Sequence, residues 1–345
     1  MRRLKRRWHC KIVFMRIAIV KLSALGDIVH AMVVLQFIKK YKQDISIDWF
    51  VEKRYKELLE FNTDINQIHL VNLKKAKEEK SFFILYKEFK KLRQLDKYDM
   101  VIDMQGLVKS ALFARLIPSE ETIGFDNHSA RESLASFFYN KTFSFDYKRN
   151  IIERNMEIVS FALGFFIDPK IIQFKIPFLI PSKSHPIKNL SKIKKNIVLI
   201  PGASTKSKCY PVKSLASLTK KIDANFIIIW GNKKEKMLAD ELRSLSSSVN
   251  ISNKLSIDAL ISLISKVDLV IGPDTGPSHL AWGLNVPSIV LFGSTPGYRN
   301  SYLTKNNKII ESSTKVNPYK INKNDYSIRD IPVKKIVELT NALIF

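Results

Sequence analysis

Residues 268–280 read DLVIGPDTGPSHL, and their character changes twice within this short span. The run 268–271 is apolar and strand-like, and it stops at Gly272. Residues 273–276 form a tight turn, and a helix is expected to open near Pro277. Such a turn directs free backbone N–H groups and the positive end of a helix dipole at one place, which suits a phosphate. Asp274 or Thr275 can cap the new helix. Gly276 permits close backbone approach or a positive φ angle. His279, in the first helical turn, is within reach of the same anion. The same residues also read as an ordinary capped strand-to-helix turn, and spacing alone does not separate the two.

Working outward, short apolar runs alternate with helical stretches on both sides of this motif. Residues 16–22 (RIAIVKL) have the composition of a buried parallel strand. A turn (SALGD, 23–27) and a helix over about 28–41 follow. Strands are expected at 45–52, 67–73, 98–104 and 122–125, with helices near 55–61, 79–95 and 107–116. The 79–95 helix is read as amphipathic, with Phe82, Phe83, Leu85, Tyr86, Phe89 and Leu92 on and around its buried face. Between 165 and 195, Pro169, Pro177, Pro181 and Pro186 interrupt the pattern, as in a linker. The alternation then restarts, with strands at 196–200, 226–230, 268–271 and 288–292. Helices are expected at 211–222, 233–245, 257–267 and 333–343. Strands separated by crossover helices make parallel sheets with helices on both faces. The expected architecture is α/β, with two halves of similar size joined by a Pro-rich linker; the resemblance named below implies that each is a Rossmann-like domain. The parts of the chain are a basic extension at 1–14, domains at 15–180 and 196–345, and a linker at 181–195.

Composition narrows the partners. The 345 residues carry a formal net charge of +25, which calls for an anionic partner: nucleic acid, a membrane surface or a phosphorylated substrate. Two cysteines make no disulfide framework, which fits a reducing compartment. The histidines show no Cys/His cluster at metal-ligand spacing, so no metal site is expected. No apolar run approaches the ~20 residues of a membrane-spanning helix. No RNP-like, helix-turn-helix or zinc-finger pattern supports specific nucleic-acid binding.

Ligands of open α/β sheets bind beyond the carboxyl ends of the strands. SALGD and PDTG both lie there and can face one cleft. Asp27 lands at a helix start, where the dipole favours a carboxylate; it can cap the helix or take a proton from a substrate hydroxyl. Residues 201–210 (PGASTKSKCY) offer a glycine, hydroxyls and the lysines Lys206 and Lys208 after a strand. That composition suits a diphosphate or a solvated basic loop, and its glycine spacing is not that of a P-loop. Asp103 and Gln105 sit at another strand end facing the cleft. Arg131, in a polar turn, can clamp an acidic group or make a surface ion pair.

The segments KLSALGDIVHAMVVL, DMQGLVKSALFARLI, ARESLASFFYN, IPGASTKSKCYP and GPDTGPSHLAWGLNVPSIVLFG together resemble the lipopolysaccharide heptosyltransferases of glycosyltransferase family 9. DMQGLVKSA and ARESLAS favour the type I subfamily over type II. The likeness covers nearly the whole chain from Met15. It implies a GT-B fold and a metal-independent, inverting transfer of heptose from ADP-L-glycero-β-D-manno-heptose to the inner Kdo of Kdo-lipid A. It implies no cofactor beyond this donor. Asp27 would be the general base, with Ser23, Gly26, Lys21, Gln105 and Arg131 on the acceptor side. Ser204, Lys208, Glu235, Asp274, Thr275, Gly276 and His279 would hold the donor. A type II or III enzyme acting on a heptosylated core is the alternative. Two departures stand out: Pro277 lacks an N–H where the family commonly has an apolar residue, and Cys209-Tyr210 replaces a His-Trp type pair. The resemblance also implies a cytoplasmic protein peripheral to the anionic inner membrane, for which the basic stretches 39–42, 87–93 and 148–154 are candidate contacts.

Overall fold

The computed structural model describes residues 15–182 and 185–345; the basic extension at 1–14 lies outside them. In the first half, β1 (Arg16–Val20) leads to α1 (Leu25–Tyr41), β2 (Ser46–Glu52) and β3 (Gln67–Val71). Then come α2 (Leu73–Glu78), α3 (Phe82–Arg93), β4 (Tyr98–Asp103), α4 (Val108–Leu116), β5 (Ser119–Phe125), β6 (Lys141–Phe143) and α5 (Ile151–Leu163). The second half opens with β7 (Asn196–Leu199), α6 (Val212–Thr219), β8 (Asn225–Ile228), α7 (Lys233–Leu245), β9 (Val249–Ile251) and α8 (Ile257–Ile264). It closes with β10 (Leu269–Pro273), α9 (Gly276–Gly283), β11 (Ser288–Phe292), α10 (Gly297–Asn300), β12 (Asn307–Glu311) and α11 (Val333–Ile344).

The first six strands form one sheet in the order β3-β2-β1-β4-β5-β6, and the last six form another in the order β12-β11-β10-β7-β8-β9. Every pairing is parallel. Read from its third strand, the second sheet has the same order as the first, so the fold is one doubly wound unit built twice. Each sheet reverses direction between its first and fourth strands, and ligands bind at that crevice. The loops after β1 and β4 are SALGD and MQG; those after β7 and β10 carry PGAST and the turn into α9. All four motif loops therefore sit at switch points.

The halves share a core. Ile28, Val29 and Met32 of α1 belong to one buried cluster with Leu280, Ala281 and Trp282 of α9. The connecting chain is anchored rather than loose. Buried Lys175 donates to the Trp282 carbonyl and to Asn285 Oδ1, and burial pushes its ammonium down to about 7. Further on, Asp258 of α8 accepts from the Ser182 amide at 2.8 Å and stands 2.8 Å from His185 Nε2.

Two readings of the sequence need correction. The 79–95 helix is shorter, α3 at Phe82–Arg93: it starts at the Ser81 cap, which accepts from Ile84 N at 3.3 Å, and a separate helix α2, not read in the sequence, ends before Lys80, whose φ is +49°. The aromatics of α3 also divide. Leu92 is buried and Phe89 packs on the core, but Phe82, Phe83 and Tyr86 are 87%, 63% and 62% exposed. Only the stripe 85–89–92 faces the sheet, because a helix of this length touches it along one line. The second correction is an omission. Helix α5 falls in a stretch read only as basic, although its Asn150 cap and its Gly164 stop (φ +68°) are sound boundary signals.

Close packing makes Gly124 a test of the first half. A Cβ there would stand 2.2 Å from the Tyr139 ring, whose hydroxyl donates to Asp103 at 2.8 Å. Moving the ring breaks that bond to a buried carboxylate. Gly124→Ala is expected to cost about 1–3 kcal/mol, read as a lower urea midpoint at unchanged slope.

Candidate active site

The SALGD loop is held from the neighbouring strand end. The side-chain carbonyl of Gln105 accepts from the amides of Leu22 (2.8 Å) and Ser23 (3.2 Å). Gln105 is fixed in turn by Asp103, whose carboxylate accepts from the Gln105 amide, Ser110 Oγ and Tyr139 Oη, each at 2.8 Å. Asp103 is fully buried, so it does not face the cleft as its strand-end position suggested; it is a brace for the loop that does. Burial pushes its carboxyl up, against these donors. Lys21 lies beneath the same loop and donates to the Met104 carbonyl at 2.7 Å; burial lowers its ammonium while Asp27 and Asp103 oppose that shift.

Asp27 occupies the third position of α1. Its side chain is exposed and accepts from the Ala24 amide at 3.2 Å, closing the helix start. It faces a cleft of about 180 Å³ whose walls include Lys21, Ser23, Gln105 and Arg131. The cleft also contains two arginines that sequence reasoning missed, Arg154 and Arg299. Arg154, on α5, is buried and braced by the carbonyls of Phe145, Asp146 and Ser129 at 2.7–2.9 Å. Arg299 reaches in from the second half, bonds the Tyr147 carbonyl at 2.9 Å and lies 4.2 Å over the Tyr147 ring. Four cations around one exposed carboxylate make a pocket suited to an acidic group.

The donor side centres on Asp274. One carboxylate oxygen accepts from Lys208 Nζ at 2.7 Å and Thr295 Oγ1 at 2.8 Å; the other stands 3.1 Å from His279 Nε2. His279 Nδ1 is 3.0 Å from His30 Nε2 on α1. Burial and the neighbouring His279 push the His30 imidazole well down, so this chain crosses the two halves with His30 neutral. Asp274 is thus fully engaged within the protein and aims the Lys208 ammonium. Burial opposes its charge, but the hydrogen bond from His279 and the Lys208 ammonium outweigh that and hold the carboxyl well below the usual range. A depressed carboxyl stabilises the fold above its unfolded pKa of about 3.9, and that contribution disappears as pH falls through the folded value. Urea unfolding of wild type and Asp274→Asn from pH 7 to pH 3 should show the wild type losing more stability over this range.

Glycines permit the contact between the two motif loops. A Cβ on Gly26 would lie 2.5 Å from His279 Cδ2, and one on Gly276 would lie 2.8 Å from Leu25 Cδ2. SALGD therefore lies directly on the start of α9, with Thr275 as its N-cap residue. Beside it, a larger hollow of about 1370 Å³ is lined by Gly202, Ser204 and Glu235. Glu235 accepts from the Gly231 amide at 2.7 Å and covers Gly202, where a Cβ would meet its Cγ at 2.3 Å. The hollow is roomy, and its lining mixes polar and apolar side chains. The structure brings the expected donor residues to this side of the contact and the expected acceptor residues to the other. Thr295 and Asn300, missed in the sequence, stand at 2.8 and 3.5 Å from the Asp274 carboxylate; their signal was the hydroxyl-rich STPGYRN following β11 at another strand end.

Two doubly wound domains face each other across a basic cleft with an exposed carboxylate at a helix start, the arrangement of a GT-B type fold. The chain belongs to glycosyltransferase family 9: the family model described as glycosyltransferase family 9 (heptosyltransferase) matches residues 85–326. It is 40% identical over 344 residues to lipopolysaccharide heptosyltransferase 1 of Campylobacter coli, covering 95% of this chain and 99% of that one. It is 28% identical to lipopolysaccharide heptosyltransferase 1 of Escherichia coli K12, over 84% of this chain and 91% of the relative. Among solved structures, E. coli heptosyltransferase WaaC with ADP superposes with a TM-score of 0.78 at 24% identity, covering 95% and 99% of the two chains. A family 9 glycosyltransferase from Veillonella parvula superposes at 0.76 with 16% identity, covering 96% and 97%. These superpositions support the fold.

Proposed function

We propose that this chain is the heptosyltransferase of type I that adds the first heptose to the lipopolysaccharide inner core. The donor is ADP-L-glycero-β-D-manno-heptose, held by residues 196–345. The acceptor is the inner Kdo of Kdo-lipid A, held by residues 15–180. One observation carries the reading: SALGD lies against the start of α9, where Gly26 abuts His279, His279 bonds Asp274 and Asp274 bonds Lys208, so the loop of the exposed Asp27 carboxylate meets the Lys208–Asp274 pair where the two halves touch.

The chemistry follows from that placement. Asp27 takes the proton of a Kdo hydroxyl as its oxygen attacks the anomeric carbon from the face opposite ADP. The carbon–oxygen bond to the diphosphate breaks and ADP leaves with the electron pair, so a β-linked donor gives an α-linked product. Lys208 and the start of α9 stabilise the charge that grows on the diphosphate. Ser204 and Thr275 add hydroxyl donors, and Glu235 meets the nucleoside. Pro277 supplies no N–H, so this role rests on Thr275, Gly276 and Lys208. Lys21, Arg131, Arg154 and Arg299 receive the acidic groups of the acceptor. The high positive charge then serves an anionic glycolipid at the cytoplasmic face of the inner membrane rather than a nucleic acid. Among the described residues no helix is long and apolar enough to cross a membrane.

The test supplies purified protein with ADP-heptose and either Kdo-lipid A or a core that already carries one heptose. ADP release and a heptose-sized mass gain on Kdo-lipid A are expected. A gain on the heptosylated core alone would replace this reading with type II or III. Transfer is expected to persist in EDTA, because Lys208 and the helix start already supply positive charge; activity restored only by a divalent cation would refute that.

A further inference from the structure

The outer face of α3 has no role in the cleft, yet it is unusual. At about 100° per residue, Phe82, Phe83, Tyr86, Lys87, Lys90 and Arg93 fall within one arc of about 140°. All six are exposed. Lys87 Nζ stands 4.3 Å over the Phe83 ring, so cation and aromatic form one surface. Over residues 73–93 there are eight lysines and arginines against three glutamates. Lys74, Lys75 and Lys91 pair with those glutamates, whereas Lys77, Lys80, Lys90 and Arg93 have no ion-pair partner among the described residues.

This face borders a groove of about 1020 Å³ between α3 and the loop before α1. Leu73, Leu85, Phe89 and Leu112 give it an apolar lining, and Lys77, Lys80 and Lys109 stand along it. Ser23 lines both this groove and the basic cleft of Asp27, so the two adjoin there. Leu134 and Phe137 add exposed apolar surface on a turn that, like α3, packs against α4.

We propose that the outer face of α3 is a membrane-docking surface that seats the protein on an anionic bilayer. Phe82, Phe83 and Tyr86 enter the interfacial layer, while the unpaired lysines and Arg93 meet lipid phosphates. Charge decides the occupant: a second copy of this chain would set one lysine-rich face against another, whereas an anionic lipid surface neutralises it. The groove's place beside the cleft orients the protein, because a lipid-linked acceptor in the Asp27 cleft then has its lipid end towards the groove and the bilayer. The proposal rests on the glycolipid acceptor argued above, and it deepens that reading by naming the surface that meets the lipid.

The test compares wild type with two variants, Phe82→Gln/Phe83→Gln/Tyr86→Gln and Lys77→Glu/Lys80→Glu/Lys90→Glu. Each is sedimented with vesicles of phosphatidylglycerol and phosphatidylethanolamine, or of phosphatidylcholine. Wild type is expected to bind the anionic vesicles, less at high salt, and each variant to bind them about 30-fold more weakly. The replaced side chains are exposed, so the thermal midpoint should not move. The aromatic variant should glycosylate a deacylated, water-soluble Kdo acceptor as wild type does, and fail on acylated acceptor in vesicles. Vesicle binding by the aromatic variant equal to wild type overturns the proposal. So does binding to single-stranded RNA that survives physiological salt and is lost in both variants, or a dimer that both variants dissolve. If wild type docks as described but glycosylates neither acceptor, the transfer reading fails and the docking surface stands.

Discussion

Asp27→Ala is expected to lower heptose transfer at least ~100-fold, the usual loss when a general base is removed, while ADP affinity stays unchanged. The geometry explains both halves of that expectation. Asp27 is the exposed carboxylate in a cleft otherwise lined by Lys21, Arg131, Arg154 and Arg299, so no second acid on that wall stands ready to take the proton. Its hydrogen bond to the Ala24 amide is local to the start of α1, and the donor hollow is built from β7, α7 and their loops instead. Asp27→Asn separates base from brace, because an amide keeps the bond to Ala24 but cannot take a proton at neutral pH. Both variants should therefore be inactive and fold normally. Turnover by Asp27→Asn near the wild-type rate would remove Asp27 from its role and leave it a helix cap.

Lys208→Ala should weaken ADP-heptose binding by roughly 100-fold and leave the acceptor KM unchanged. Losing a charged hydrogen bond to a phosphate costs about 1.5–3 kcal/mol. The Asp274 carboxylate, no longer neutralised at 2.7 Å, then also repels the diphosphate. That second effect makes a distinctive test. Adding Asp274→Asn to Lys208→Ala should recover part of the lost affinity, because it removes the unbalanced charge, although Asp274→Asn alone should weaken binding by freeing Lys208. Calorimetric titration with ADP reads all four proteins. Unchanged affinity in Lys208→Ala would place the diphosphate elsewhere, and additive losses in the double variant would mean that Asp274 does not act through Lys208.

The site was legible where its residues follow strand ends directly. SALGD, PGAST and PDTG announce themselves by a glycine and hydroxyls after an apolar run, since such loops must turn sharply and leave backbone donors free. Arg154 and Arg299 gave no such signal. Arg154 lies in an outwardly ordinary helix that also carries Glu153 and Glu157, and Arg299 reaches the Asp27 cleft from the opposite half of the chain. The contacts of Asp274 with Thr295 and of His30 with His279 join residues far apart in sequence, so no local pattern encodes them. On α3, seven apolar positions in twelve satisfied more than one helical face, and only the neighbouring sheet decides which face is inward.

The sequence by itself determined the alternation of strands and helices, the parallel sheets that follow from crossovers, the strand-end loops and the anionic nature of the partner. Those rest on periodicity, turn chemistry and charge, which act over a few residues. Tertiary structure alone decided how the two halves meet. Gly26 and Gly276, lacking side chains, let α1 and α9 approach until His279 and Leu25 fill the spaces a Cβ would need. That packing brings the separate loops together, joining the Asp27 loop to the Lys208–Asp274 pair through Gly26 and His279.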